Sequence, residues 1–294
     1  MSSRLHKWSA TLAVLLGLGA TCWLLYGHVF GYREPVWPDA RQDSPATDVV
    51  HKTSADPSVD RGPSEKEKPK AASERSPSPS GRETFDYTGN VSSLSNVAAL
   101  RVVVAGGVEF MGRGALHLQA FAKTQNPLRM IFALDDQFDS YLDPKSLTSL
   151  QFELHLNERG QRVDSVLRMT SDNEPAPADA TAARVLPGTR DPLAMLHYLR
   201  AVNWARTPEV RCPVFDGHKL YEARAKLLAP AEIVEVPAGK YSVAKIDLRV
   251  FQDGVENKDS RFVLYLANDP AHTPVALDAI LPFANARVEL VRAH

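Results

Sequence analysis

Alternation of apolar and charged residues is the feature that most narrows the folds open to this chain. Across residues 240–250, Ala244, Ile246, Leu248 and Val250 alternate with Lys245, Asp247 and Arg249. Successive side chains of a strand point to opposite faces, so this stretch predicts a strand with one buried and one wet face. Residues 219–227 carry the same period, with Tyr221, Ala223, Ala225 and Leu227 on one side. Residues 151–156 set Phe152, Leu154 and Leu156 against Gln151, Glu153 and His155. Asn157-Glu158-Arg159-Gly160 turns that strand into residues 162–169, and Pro237-Ala238-Gly239 joins 232–236 to 241–250, with Gly239 supplying the positive φ of a tight turn. Hairpins of this kind imply an antiparallel sheet.

The period of two fails once. In residues 191–202, Leu193, Leu196, Leu199 and Val202 fall three apart, Asp191 suits an N-cap and Pro192 suits the first helical turn. This predicts one amphipathic helix of about three turns among roughly ten strands. The expected fold is therefore mainly β: a curved antiparallel sheet or half-barrel packed on one short helix. Residues 262–266 and 274–281 are largely apolar on both faces and are expected at the buried centre or in the wall of a cavity. Phe262, Leu264, Leu266, Val275 and Leu277, with Leu193 and Leu196 from the helix, are the candidate lining residues. Asp191, Pro192, Arg200, Asp216, Gly217 and Gly239 are expected in structural roles, and Arg190, Arg200 and Asp216 as charges that seat the helix.

Upstream the composition changes twice. Residues 8–32 contain no Asp, Glu, Lys or Arg and follow Arg4, His6 and Lys7. As a helix they would span about 37 Å, against about 30 Å of bilayer hydrocarbon. The basic flank stays in the cytoplasm, so residues 1–32 are expected to form a cytoplasmic tip and one transmembrane anchor, with the rest across the membrane. A cleaved signal peptide is the alternative, because Gly17-Leu18-Gly19 before Ala20 resembles a weak cleavage site. Trp23, Leu24, Leu25 and Tyr26 continue the apolar run past it. Residues 33–82 then hold eight of the 21 prolines, balanced charges, and no Leu, Ile, Met or Phe. Such a segment cannot bury enough apolar area to offset its ordering entropy, so it is expected to be a disordered linker to a folded domain over 83–294.

Catalytic signatures are absent. There is no G-x-S-x-G elbow, Walker A loop, H-E-x-x-H, Cys-x-x-Cys pair or dinucleotide fingerprint. A net charge of -1 argues against a nucleic-acid partner. Cys22 and Cys212 lie in different zones and make no disulfide framework. The acidic group Asp135, Asp136, Asp139 and Asp143 lacks the glycine-bearing loop that would fold its oxygens around a cation, and is expected as a solvated strand edge. His117 and His155 are expected at the surface, and His197 and His218 are open to pairing in space. No catalytic, cofactor-binding or metal-binding residue is assigned, and no cofactor is expected.

Several motifs occur in a recognisable order. They are the helix of residues 190–200, Pro213-Val214-Phe215-Asp216-Gly217, Val236-Pro237-Ala238-Gly239, residues 261–269 and Pro274-Val275-Ala276-Leu277, preceded by Asp139-Ser140-Tyr141-Leu142-Asp143-Pro144. Together they resemble domain of unknown function 3108, a family of exported envelope proteins of Gram-negative bacteria, over about residues 83–291. The chain departs from that pattern at Tyr265, where tryptophan is common, and at Ala284-Asn285-Ala286. The resemblance implies an exported β-rich domain of unassigned activity; with the anchor read from residues 1–32, the expected location is the inner membrane, with the domain in the periplasm. The expected function is a non-enzymatic binding module for an apolar small molecule or a segment of an envelope protein. The alternative is a structural or assembly partner in a trans-envelope complex, and a hydrolase is the remaining class.

Overall fold

The computed structural model describes residues 81–170, 181–282 and 284–294. The expected anchor, 1–32, and nearly all of the expected linker, 33–82, lie outside them. Among the described residues no helix is long and apolar enough to cross a membrane. The first half of the sheet comprises β1 (Arg82–Val91), β2 (Leu94–Phe110), β3 (Arg113–Thr124), β4 (Asp135–Leu142), β5 (Ser149–Glu158), β6 (Gln161–Thr170) and β7 (Thr181–Arg184). The second comprises β8 (Glu209–Phe215), β9 (Leu220–Val236), β10 (Gly239–Gln252), β11 (Val255–Glu256), β12 (Arg261–Ala267), β13 (Pro274–Ile280) and β14 (Asn285–Ala293). A single turn, α1 (Leu128–Ile131), and the ten-residue α2 (Pro192–Ala201) complete the described elements.

All of these strands belong to one sheet, in the order β7-β6-β5-β4-β3-β2-β1-β14-β13-β12-β10-β9-β8, with β11 appended to β10. Two up-and-down meanders are thus joined by one non-local pairing, β1 with β14. Only β6 and β7 run parallel. The turn expected at Asn157–Gly160 closes on Arg159 and Gly160, both at positive φ. The segments 219–227 and 232–236, expected as separate strands, are one strand, β9. Pro230 falls where the β9–β10 register slips, a position at which a missing N–H breaks no ladder bond.

The two arms of the sheet are stitched together near their outer ends, from β5 to the terminal β8. Ser149 N–H at the start of β5 donates to Thr189 O at 3.2 Å, Arg190 N–H donates to Pro213 O at 3.0 Å, and Phe215 N–H donates to Arg190 O at 2.9 Å. The sheet therefore curls almost round. The next residue, Asp191, starts α2, so the helix drops from the stitch into the interior. This corrects the expected amphipathic helix: Pro192, Leu193, Ala194, Met195, His197, Leu199, Arg200 and Ala201 are all buried, leaving only Leu196 and Tyr198 half-buried. A helix enclosed by sheet has no face to give to solvent.

Asp191 makes the entry of the helix rigid. Its Oδ1 accepts from Leu193 N–H and Ala194 N–H, both at 2.9 Å, and its Oδ2 accepts from Ser149 Oγ at 2.6 Å and from Ser140 Oγ. At the other end, Trp204 Nε1 donates to Leu199 O at 3.0 Å and His272 Nδ1 to Arg200 O at 2.6 Å, so side chains satisfy carbonyls that the helix leaves open. Packing continues on both sides of α2. Leu193 and Ala194 join Phe138, Phe152 and Leu118, whereas Met195, Leu199 and Val202 join Ile246, Leu248 and Phe262. β12 is buried on both faces as expected: Val263 and Tyr265 pack with Val234 and Val236, and Phe262 and Leu266 with Ile246 and Leu248. The outer cover is the tip of the β9–β10 hairpin, whose Ala238 N–H reaches Leu290 O at 2.9 Å.

Candidate ligand cavity

Between α2 and the wall formed by β1–β3 and β12–β14 lies a cavity of about 90 Å³, partly open to solvent. Strand alternation builds its wall. Phe85 and Tyr87 of β1, Val102 and Val104 of β2, and Leu118 and Ala120 of β3 each point inward two residues apart. Leu264, Pro274, Ala276, Leu277 and Val288 supply the opposite side. From the helix come Leu193, Leu196, His197 and Arg200.

Of the candidate lining residues, Leu193, Leu196, Leu264 and Leu277 border this cavity, whereas Phe262, Leu266 and Val275 do not. Phe262 and Leu266 share the face of Leu264 but are packed solid against neighbours of β10, and Val275 is fully buried in the first core cluster. The wall residues from β1, β2, β3 and β14 were not anticipated. Their alternation marks them as inward-facing, but only the β1–β14 pairing brings them opposite α2.

The polar atoms of the cavity are few. Tyr87 donates from its hydroxyl to Pro274 O at 3.0 Å, and burial pushes its pKa upward. Arg200, 4% exposed, donates from Nη2 to Glu83 Oε2 at 3.1 Å and to Ala271 O at 3.0 Å, and from Nε to His272 O at 3.3 Å. Its guanidinium also lies 5.1 Å from the Phe85 ring centroid. His197 Nδ1 faces Arg200 Nη1 at 3.5 Å. Burial, and then the Arg200 charge, push the His197 imidazole down to about 3, so it is neutral near pH 7.

The other singled-out residues are structural. Arg190 holds the stitch through its backbone, bonds Gly188 O and Ser146 O through its side chain, and stacks 3.8 Å over the Tyr198 ring of α2. Asp216 does not seat the helix: its Oδ1 accepts from His218 N–H and Lys219 N–H at 2.8 Å, closing a turn in which Gly217 has φ +99°. A Cβ there would meet Leu167 Cδ1 at 3.0 Å. Gly239 takes φ +130° at the β9–β10 turn.

The acidic group is not a strand edge, because β4 lies between β3 and β5. Its members serve four separate contacts. Asp135 pairs with Arg129 at 2.7 Å, and Asp143 accepts from Lys145 N–H and Ser146 N–H. Asp139 would be raised by burial, but hydrogen bonds with His117, Gln137 and Gln119 hold its carboxyl low. Asp136, 3% exposed, meets the buried carboxyl of Glu158. Burial pushes Asp136 up to about 6, and burial together with the Asp136 charge pushes Glu158 up to about 8. Two buried carboxyls so placed disfavour double ionisation, so their titration is shifted upward as a pair.

A family model described as a protein of unknown function, DUF3108, matches residues 84–291. No curated protein matches the chain. Among solved structures, a β-barrel-like protein of domain of unknown function DUF1849 from Brucella abortus is 12% identical, with a TM-score of 0.48 over 72% of this chain and 97% of that one. A candidate lipoprotein from Parabacteroides distasonis is 10% identical, with a TM-score of 0.33 over 73% and 95%. A candidate exported protein with a YmcC-like fold from Bacteroides fragilis is 10% identical, with a TM-score of 0.29 over 72% and 95%.

Proposed function

The chain belongs to the DUF3108 family of proteins of unknown function, and we propose that it is a non-enzymatic binding module that holds an apolar ligand beside α2. The observation that carries this reading is the cavity itself: its walls are hydrocarbon except at Tyr87, His197 and Arg200. Concave apolar surface of this kind retains a ligand by removing its hydrocarbon from water. A volume of about 90 Å³ is small beside the roughly 300–1,000 Å³ of sites that enclose whole drug-sized molecules. It suits one slim chain, with the remainder of the ligand outside the opening. The uncharged run at 8–32 and the Pro-rich stretch at 33–82 support a single anchor in the inner membrane and a spacer, with the module in the periplasm.

Organic extraction of the purified full chain, followed by mass spectrometry, tests this reading. An apolar molecule in near-equimolar amount is expected, and Leu196→Trp, which adds bulk at a half-buried position of the lining, should reduce its yield several-fold in a variant that matches wild type by circular dichroism. Equal recovery of the molecule from both proteins would overturn the assignment of the cavity. An empty cavity together with one dominant protein adduct on crosslinking in cells would favour the assembly-partner role.

A further inference from the structure

His197 is the polar ring that α2 contributes to the cavity wall, and it is 3% exposed. A guanidinium only donates, so His197 Nδ1, facing Arg200 Nη1, is the accepting nitrogen and the proton of the neutral ring sits on Nε2. That N–H is buried with no hydrogen-bond partner among the described residues. Leaving a buried donor unmade costs more than a typical hydrogen bond contributes, and folded proteins seldom leave one. Arg200 does not relieve it, having no acceptor to give. Nor does Arg200 offer an uncompensated charge, since Glu83 Oε2 lies 3.1 Å from Nη2. One neutral donor therefore lies buried within a residue of the cavity wall, in hydrocarbon surroundings.

Resting on the binding reading above, we propose that the ligand is an uncharged acyl compound, a fatty ester or amide, whose carbonyl oxygen accepts the His197 Nε2 proton while its chain lies along Val102, Leu118 and Leu264. A plain alkane would leave the donor unmade. A fatty carboxylate would be stripped of water with no unmatched cation to meet it.

Calorimetric titration of the full chain in maltoside micelles at one fixed concentration, with methyl decanoate, decane and sodium decanoate as probes, tests the proposal. Comparing each probe between wild type and variant cancels its partition into micelles. The wild-type preference for ester over alkane is expected to exceed that of His197→Leu by about 3- to 10-fold, the range of one neutral hydrogen bond. His197→Gln, which retains an N–H donor, should recover part of the difference, and matched circular dichroism would show that the variants are folded. An unchanged preference in His197→Leu, or decanoate binding tighter than the ester, would overturn the ester assignment and leave the apolar cavity standing. Absence of saturable binding for every probe would remove the cavity reading and this one together.

Discussion

Asp191 and His197 sit six residues apart at α2, and both are almost inaccessible to water. The fold treats them in opposite ways. Asp191 receives two backbone and two hydroxyl donors, whereas His197 has one long contact with Arg200 and a bare Nε2. The entry of the helix is thus assembled to completion and the segment beside the cavity is left open. A fully satisfied buried network fixes structure, while an unsatisfied group beside an opening marks where something else completes the set.

The largest effect should come from breaking the completed end. Asp191→Ala removes the N-cap and leaves Ser140 and Ser149 hydroxyls buried without their acceptor, for an expected loss of about 3 kcal/mol or more in urea unfolding. Asp191→Asn, which can still cap, should lose less. A loss below about 1 kcal/mol for the alanine variant would mean that the stitch, not the cap, seats the helix. Changing the open end should go the other way: His197→Leu replaces an unmade polar group by hydrocarbon of similar size and is expected to raise stability by about 1 kcal/mol, measured in the same way. Destabilisation by that substitution would show that the Arg200 contact matters more than the bare nitrogen.

The smallest effect is a pH dependence set by the Asp136–Glu158 pair, which sharpens the comparison by adding a third buried site. Burial raises both carboxyls, to about 6 and about 8, so over neutral pH the folded protein holds more protons than the unfolded chain. Stability contributed by the pair is complete below the unfolded carboxyl pKa and is lost as pH rises through the folded values. His197 has the opposite sign: its lowered pKa means that the unfolded chain takes up the proton first, so its part is lost as pH falls below about 6.5. Between pH 6.5 and 8.5 the His197 contribution is nearly constant, and His155, raised chiefly by its hydrogen bond with Asp164, adds a decline of the same sign as the carboxyl pair. There the melting temperature should decline by a few degrees, and Glu158→Gln should lessen the decline. Parallel curves for wild type and variant would show that the titration of the pair is not shifted upward.

Local pattern made much of this molecule legible in advance. The β5–β6 and β9–β10 hairpins follow from alternation and turn chemistry within a few residues, and of the two largely apolar strands β12 lies at the buried centre while β13 leaves Ile280 exposed. The helix was visible in its three-residue spacing and its cap, yet not its enclosure. An apolar stripe of Leu193, Leu196 and Leu199 reads as one buried face, and nothing in the stripe reveals that His197 and Arg200 are buried behind it. The acidic cluster misled for a related reason: its charges look like protection for an edge until β5 is placed beside β4 and brings Glu158 against Asp136. Half of the cavity wall was hidden because β1 and β14, which juxtapose it, are as far apart in sequence as the domain allows.

That last pairing governs how the domain is made. β1 is zipped to nearby β2 on one side and to β14 on the other, with Phe85 opposite Ala293. A chain growing at about 5–20 residues per second therefore holds one flank of β1 unsatisfied for about 10–40 s, until the final strand emerges. Removal of β14 would expose two raw seams in the middle of the sheet, making that ribbon the keystone of the whole vault.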